Sequence, residues 1–528
     1  MQRKLLAGLL ALFIITTFFA PAALAADPGQ LPPGTYGNII IGADGRLVPS
    51  AYDDIQTFET GKTPDTILYV APDGKDSNDG SEAKPLRSIA KAVEKAQPGT
   101  AIRLKPGEYT PGGSLIAFIE NLRGTADKPI WIGGMPGEAR PVLKGGNEAI
   151  HVVRGSYLVF HDMEITGAKG NGFNFDDGGD FNDMNAASNI VFRGIYIHNI
   201  GSGGNQDNFK FSGLNNYYVY DCEASFGGTG DSSGIDQVGC HNALITRNYF
   251  HDQGGNAFQF KGGSFDAVIT QNLLVECGER AVIMGGTTDL ELFRPSLSAT
   301  AVNHEAVNIY TYSNVIIGTL APFAFVSARN CYAINNTVIS PGYFLFRILQ
   351  EGGVDGACRG NTVANNIFYY GNEVQEHINI GRNTEPETFV VKNNLFYNYD
   401  APSSRFEIPD MMNFENSIFG VNPGFLSVQN NNLQLSGKSP AIGQGVGYEK
   451  VAIDFVGLPF AASLSLGAYE YIAVGDVNGD NAVNIHDIAL WVKASGMKKD
   501  DSAFMVACDL NFDGVIDDKD LNIILENL

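Results

Sequence analysis

Short apolar segments, each led by an asparagine, recur through this chain: Asn248-Tyr-Phe, Asn272-Leu-Leu, Asn314-Val-Ile, Asn336-Thr-Val, Asn366-Ile-Phe and Asn394-Leu-Phe. Their spacings of 24, 42, 22, 30 and 28 residues leave room for about three short strands between one asparagine and the next. A unit of that length cannot bury its own apolar face, so the units must stack, and stacked short strands make a solenoid. An asparagine at the same corner of every coil is placed to hydrogen-bond to its equivalent one coil on. The 62 glycines and the many β-branched and aromatic residues exclude a helical-repeat solenoid. A jelly roll or propeller is the alternative, but uneven spacings fit a solenoid better, because insertions leave its edge as loops.

A second pattern runs through Phe173-Asn-Phe-Asp176, Phe209-Lys-Phe-Ser212, Ile235-Asp-Gln-Val238, Phe258-Gln-Phe-Lys261 and Val282-Ile-Met-Gly285. Strand side chains alternate faces, so the first and third residues are predicted to point inward and the second and fourth outward. Gln237 breaks the third-position rule, and a bulge or a shifted register is expected there. Parallel strands lie about 4.8 Å apart, which turns the alignment into a map. Lys210, Asp236 and Gln259 form one column. Asp176, Ser212 and Lys261 form the next, and Asp207, Ser233, Asn256 and Arg280 a third.

A face dense in carboxylates, amides and basic residues suits an acidic polysaccharide. Asn256 and Gln259 are candidate saccharide contacts. Arg294, in Phe293-Arg-Pro, either anchors a loop or meets a substrate carboxylate. The chemistry open to such a face is β-elimination from a uronate: calcium held by clustered Asp neutralises the carboxylate, and a basic side chain removes the C5 proton while the oxygen on C4 departs. Lys261, in Gly255-Asn-Ala-Phe-Gln-Phe-Lys-Gly-Gly, is the base candidate, with Arg280 and Lys210 as further catalytic candidates. The abundance of Asp (Asp176, Asp177, Asp207, Asp231, Asp236) leaves hydrolysis by a carboxylate pair open, and non-catalytic glycan binding as well. Structural readings stand beside these: Lys210 with Asp236 as a cross-coil ion pair, and Arg280 paired with Glu279 or Glu276. Tyr217, Tyr218 and Tyr220 are candidates to stack on sugar rings.

The C-terminal segment carries two loops 33 residues apart. Asp476, Asn478, Asp480, Asn484 and Asp487, then Asp509, Asn511, Asp513, Asp517 and Asp520, set oxygen-bearing side chains at the ligand positions of a calcium loop, with the backbone carbonyls of Ala482 and Val515 between them. Calcium takes about six to eight oxygens, so each loop is predicted to wrap one ion. Gly514 holds the sharp turn of the second loop. Asn481 replaces glycine in the first, which predicts weaker binding there. Amphipathic stretches follow (Ile488, Leu490, Trp491 and Val492; Leu521, Ile523, Ile524 and Leu525). Helices this short bury little by themselves, so calcium is predicted to contribute to folding.

At the other end, Arg3 and Lys4 precede an apolar run from Leu5 to Phe19 and then Ala23-Leu24-Ala25, the pattern of a secretory signal peptide cleaved after Ala25. No later stretch approaches the length of a membrane span. The net charge of −23 argues against nucleic acid or an anionic membrane as partner. The six cysteines (Cys222, Cys240, Cys277, Cys331, Cys358, Cys508) are widely spaced and read mostly as buried small side chains, with one or two disulfides left open.

The tail from about Gly475 to Leu528 resembles a type I dockerin. That resemblance implies two bound calcium ions, a cohesin module of a scaffoldin as partner, and a secreted, cellulosome-bound protein. The family's recognition positions correspond to Ile485 and His486 in one repeat and Asp518 and Lys519 in the other, and these pairs differ. The body resembles right-handed parallel β-helix proteins. Tyr69-Val-Ala-Pro-Asp-Gly, Pro85-Leu-Arg-Ser-Ile-Ala-Lys-Ala and Gly99-Thr-Ala-Ile-Arg-Leu-Lys-Pro-Gly-Glu-Tyr look like the entry strand, a capping helix over Ile89 to Ala96, and the first coil. Ser439-Pro-Ala-Ile and Leu466-Gly-Ala-Tyr-Glu-Tyr look like the last coil. The coil ending in Lys261 resembles the catalytic-lysine coil of family 9 pectate lyases. Asp231-Ser-Ser-Gly-Ile-Asp236 resembles their calcium-binding Asp-Asp-Gly-Phe-Asp coil, with Ser232 and Ser233 in place of the paired Asp. The resemblance implies a lyase acting on acidic plant-wall polysaccharide and a body calcium held by Asp207, Asp231 and Asp236. The expected organisation is a signal peptide at 1–25, an N-terminal extension at 26–64, an all-β right-handed parallel β-helix at 65–472 and a dockerin at 473–528.

Overall fold

The computed structural model describes residues 31–36, 38–48, 55–201, 204–471, 473–478, 483–499, 501, 503–511 and 513–528, without the side chains of Asp231 and Val506. The expected signal peptide and two loop ligands, Asp480 and Ala482, lie outside the described residues.

The body is a parallel β-solenoid with three strand faces. Face one runs from Thr66–Val70 to Phe414–Glu415, face two from Glu108–Tyr109 to Ile418–Phe419, and face three from Leu115–Glu120 to Glu376–Ile380. Their coil-to-coil pairings are parallel, as in Ser156–His161 against Ala187–Arg193 and Phe209–Ser212 against Thr229–Val238. In one coil, faces two and three merge into the single long strand Tyr249–Lys261. The core runs down the axis as stacked apolar columns, and Phe160 and Phe192 stack at 5.7 Å between ring centroids. The helix Ile89–Lys95, capped by the Ser88 side chain, lays Ile89 and Ala92 on the open apolar end.

The asparagines stack as the repeat spacing predicts. The Nδ2 groups of Asn248, Asn272, Asn314, Asn336 and Asn366 each donate to the Oδ1 of the next asparagine at 2.9–3.0 Å. Each stacked asparagine follows a residue in the left-handed region: Arg247, Gln271, Ser313, Asn335, Asn365 and Asn393. That conformation turns the chain sharply between faces one and two and leaves the side chain of the turning residue outside.

Those outward side chains hold a return segment that the sequence reading assigned to a last coil. Beyond Ile418–Phe419, residues 423–471 add no rung. They run back along the outside: Asn393 bonds Gln444 O, Asn365 bonds Val446 O, Ser313 bonds Ile453 O, Gln271 bonds Asp454 O and Asn335 bonds Ser465 O, at 2.8–3.0 Å. Ala441 and Leu466 therefore pack on the outer surface of Ile367 and Leu395 rather than in the axis core. Near the N-terminus, Leu31, Ile39, Ile41 and Leu47 cover Tyr249, Leu273 and Val275 of face two. Ile55 and Phe58 cover Trp131, Val159 and Val191 of face one. The outer surfaces of faces one and two are thus largely covered, and face three stays open over its first coils.

Gln237 points inward without a register shift. Phe211 pairs with Gln237 and Gln237 with Phe260; the irregularity lies earlier, between Thr229 and Ser233. The buried amide is accepted because the Tyr217 hydroxyl donates to its Oε1. Tyr217 and Tyr220 are buried, so neither is a sugar-stacking platform. All six cysteines are buried free thiols.

In the tail, helices Ile485–Ala494 and Asp518–Glu526 each begin with a capping box, Asn484 with Asp487 and Asp517 with Asp520. The last two ligand side chains of each loop therefore also set the start of its helix. Trp491, Ala494, Cys508, Ile516 and Ile524 form the small core. Val492 and Leu525 lie outside it, exposed. No helix among the described residues is long and apolar enough to cross a membrane.

Candidate active site on the open strand face

The register of face three matches the sequence map. Asn174 pairs with Lys210, Lys210 with Asp236, and Asp236 with Gln259. Val238 pairs with Lys261, Ser233 with Asn256, and Asn256 with Arg280. Alternation does the rest: Phe209, Phe211, Ile235, Phe258 and Phe260 are buried inside, and the residues between them face out.

Four charges meet there. Lys210 Nζ contacts Asp236 Oδ2 and lies 3.4 Å from Asp207 Oδ2, while Lys261 Nζ lies 3.2 Å from Asp236 Oδ1. Ser233 N donates to Asp207 Oδ1 at 2.7 Å. Asp207 Oδ2 and Asp236 Oδ1 are buried without a hydrogen bond and face the ammonium groups at ion-pair distance. Burial raises the Asp236 pKa, but Lys210 and Lys261 outweigh it and hold the carboxyl below its usual range. Burial, and then Asp236 itself, push Asp207 up to about 7 against the pull of Lys210. Burial lowers Lys210, yet Asp236 and Asp207 keep it well above the ordinary lysine value. Both carboxylates are buried, whereas the lysine side chains keep 19% and 14% exposure; the ammonium groups are what this face presents.

The other expected residues are distributed around this cluster. Gln259 lies in the Lys210 column, and the Gly286 backbone comes so close that a Cβ there would stand 2.6 Å from Gln259 Nε2. Asn256 is buried, with its Nδ2 directed to Ser232 O and Ser233 Oγ. Arg280 pairs with Glu279 at 3.0 Å and keeps 22% exposure. Arg294 is buried and bidentate to Asp177, at 2.7 and 3.1 Å, with its guanidinium over the Phe181 ring. Of the two roles the sequence allowed it, the loop anchor is the one built. The backbone of Asp231 belongs to the irregular start of Thr229–Val238.

The sequence alone assigns no role to two further groups. Glu305, fully buried, accepts from Gly262 N at 2.6 Å and from Thr288 N and Oγ1 at 2.9 and 2.8 Å. It fixes the Gly262-Gly263 turn that follows Lys261; the signal available was a glycine turn whose amides need an acceptor. Further up the same column, His151 pairs with Asn174 across the rung and lies between Asp176 at 2.7 Å and Glu148 at 3.1 Å. Hydrogen bonds that the ring donates to Asp176 and then to Glu148 raise its pKa to about 9. Phe118, exposed, stands edge-on to its ring.

Among the described side chains, calcium fits the second tail loop better than the body. Among the described residues no three His, Cys, Asp or Glu side chains already converge as a metal cage, so the donor sets decide. In the second loop, burial and then the Asp520 and Asp513 carboxylates hold Asp509 above its usual range, a like-charge strain that a bound cation relieves. In the body, the carboxylates of Asp207 and Asp236 already face two ammonium groups, and serines stand where further carboxylates would be needed.

Residues 474–528 match the family described as the dockerin type I domain, and residues 68–268 match the Pel9A-like, right handed beta helix region. The chain carries a dockerin behind a Pel9A-like β-helix. This pairing is that of a secreted, cellulosome-associated protein. The chain is 31% identical over 116 residues to pectate lyase PEL9 of Emericella nidulans, covering 19% of this chain and 27% of that protein. It is 36% identical over 87 residues to pectate lyase L of Dickeya chrysanthemi, covering 16% and 20%. The chain thus spans about a quarter or less of the curated lyases it matches. The crystal structure of pectate lyase Pel9A is similar over 78% of this chain and 98% of that one, with a TM-score of 0.49 and 17% identity.

Proposed function

We propose that the protein is a polysaccharide lyase, cleaving a uronate-containing, pectin-like plant-wall polymer by β-elimination, and held to a scaffoldin cohesin by its dockerin. The observation that carries this reading is Lys261: its amine reaches the strand face beside Asp236, and Glu305 fixes the two-glycine turn that follows it. The neutral Lys261 amine takes the C5 proton of a bound uronate. The C4–O4 bond breaks, a C4–C5 double bond forms, and the leaving oxygen is protonated by solvent. Asp236 stabilises the resulting ammonium in place. The partial matches to pectate lyases support the class of reaction. In a chain of net charge −23, Lys210 supplies local positive charge for an acidic polymer.

The test is a screen of pectate, rhamnogalacturonan, alginate and glycosaminoglycans with the full-length protein. The expected product absorbs in the ultraviolet through its new double bond, and Lys261→Ala lowers the rate by about 100-fold or more. Reducing ends released without that absorbance indicate a hydrolase. Elimination that survives Lys261→Ala sinks the assignment of the base.

A further inference from the structure

We propose that Lys210 is a built-in substitute for a metal cation, so that the β-helix binds no calcium of its own and the protein takes up calcium only in its dockerin loops. Four oxygens decide this. Asp207 Oδ1 accepts from Ser233 N, and Asp207 Oδ2 faces Lys210 at 3.4 Å. Asp236 Oδ2 contacts Lys210 and Asp236 Oδ1 faces Lys261 at 3.2 Å. With both carboxylates ionised and both lysines protonated, the cluster is neutral. A dication could enter only by displacing both lysines from carboxylates that are themselves almost wholly buried, and removing an ammonium from such a partner leaves a charge uncompensated. Nor do the described flanking side chains make up the donor set. Ser232 and Ser233 contribute hydroxyls rather than charge, and Ser233 Oγ already receives the Asn256 amide. The second dockerin loop is the contrast within the same chain: Asp509 lies near the Asp513 and Asp520 carboxylates, and the lysine beside them, Lys519, sits at the exposed edge on Asp513 and Asp517.

The substitution has a consequence for the reaction, and here it rests on the lyase reading. A lysine ammonium has three donors; Lys210 donates to Asp236 and lies at ion-pair distance from Asp207. With 19% of its side chain exposed, it keeps a donor for the strand face, where it meets the carboxylate of a uronate and neutralises it within reach of Lys261.

The experiment counts metal rather than turnover. Calcium alone is titrated into chelator-stripped full-length protein, and bound ions are counted in the wild type and in a loop-disabled form carrying Asp476→Ala, Asp487→Ala, Asp509→Ala and Asp520→Ala. Near-UV circular dichroism verifies that the β-helix is folded. The expected result is two ions per wild-type chain, none in the loop-disabled chain at about 1 mM calcium, and a β-helix melting transition that calcium does not move. An ion kept by the loop-disabled chain overturns the proposal. Lys210→Ser in that background should open the Asp207–Asp236 pair to a cation and gain a calcium-dependent rise in Tm; if its melting ignores calcium, the ammonium is not what excludes the ion and the proposal falls. No unsaturated product on any uronate polymer removes the lyase reading but leaves the metal count standing. A bound ion does the reverse.

Discussion

Replacing one member of the asparagine stack tests what holds the coils in register. Asn314 is fully buried. Its Nδ2 donates to Ile269 O, Tyr312 O and Asn336 Oδ1, each at 3.0 Å, and its Oδ1 accepts from Asn272 N and Asn272 Nδ2, both at 2.9 Å. Asn272 Nδ2 has two further acceptors, Ile245 O and Thr270 O, so it tolerates the loss; the Asn272 backbone amide does not. Asn314→Ala leaves that amide buried and unsatisfied at about 1–3 kcal/mol and removes other bonds worth about 1 kcal/mol each net, for a total of about 3–5 kcal/mol. Asn314→Asp preserves the shape but turns an acceptor toward three acceptors, so it should cost at least as much. The assay is urea unfolding of the full chain at saturating calcium, with hydrogen exchange at the Asn272 amide as a local readout, since a stacked repeat can open at one interface. If Asn314→Asp unfolds within about 1 kcal/mol of wild type, the asparagine only fills space and the hydrogen-bond argument is wrong.

The Tyr217–Gln237 contact inside the core should behave as a coupled pair. Gln237→Leu and Tyr217→Phe each strand one buried partner and cost about 1–3 kcal/mol, while the double variant recovers about 1–2 kcal/mol of their sum; strict additivity in a double-mutant cycle would refute the pairing. His151 should make stability depend on pH. Its pKa rises from 6.5 to about 9 on folding, so its stabilisation is fully present below about 6.5 and is lost as pH rises through about 9. A full conversion gives about 3 kcal/mol, discounted to about 1–2 kcal/mol because the ring is 23% exposed. The gap in denaturant midpoint between wild type and His151→Gln should therefore close above pH 9, and a gap that does not change with pH contradicts the ion-pair account.

Much of the architecture was legible because a solenoid writes its geometry into the sequence twice, once as the Asn corner and once as the inside–outside alternation. Lys210 could be set beside Asp236 from spacing alone, and the register agrees. Where the reading failed, the missing information was what covers the outside. Ala441 and Leu466 are apolar, and apolar residues fit an inner column or an outer seam equally well; only the hydrogen bonds from the corner residues make 423–471 a return segment. Tyr217 and Tyr220 were ambiguous for the same reason. Arg294 was undecidable because Asp177, its partner, lies 117 residues away. His151 stands on Glu148–Val153, one rung before the first ladder segment at Phe173, where Ile150 and Val152 carry the same inward alternation.

The rung spacing also explains why positions 210 and 233 have to be read together. In an in-register parallel stack each side chain stands about 4.8 Å from its equivalents one coil away, so every column must be compatible with itself. Inside, like packs on like: phenylalanine on phenylalanine, asparagine on asparagine. Outside, like charges at that distance would repel by about 3 kcal/mol at an effective dielectric constant near 20. The outer column accordingly alternates through Asn174, Lys210, Asp236 and Gln259. A carboxylate at position 233 would stand one rung from Asp207, whose Oδ1 already takes the Ser233 amide, and would require a further cation close by. Serine at 233 with lysine at 210 is one neutral solution to this lattice, and aspartate at 233 with a divalent ion is another. Changing either position alone leaves the column unbalanced, which is why the serines in the Asp231–Asp236 segment are better understood as the counterpart of Lys210 than as an eroded metal site.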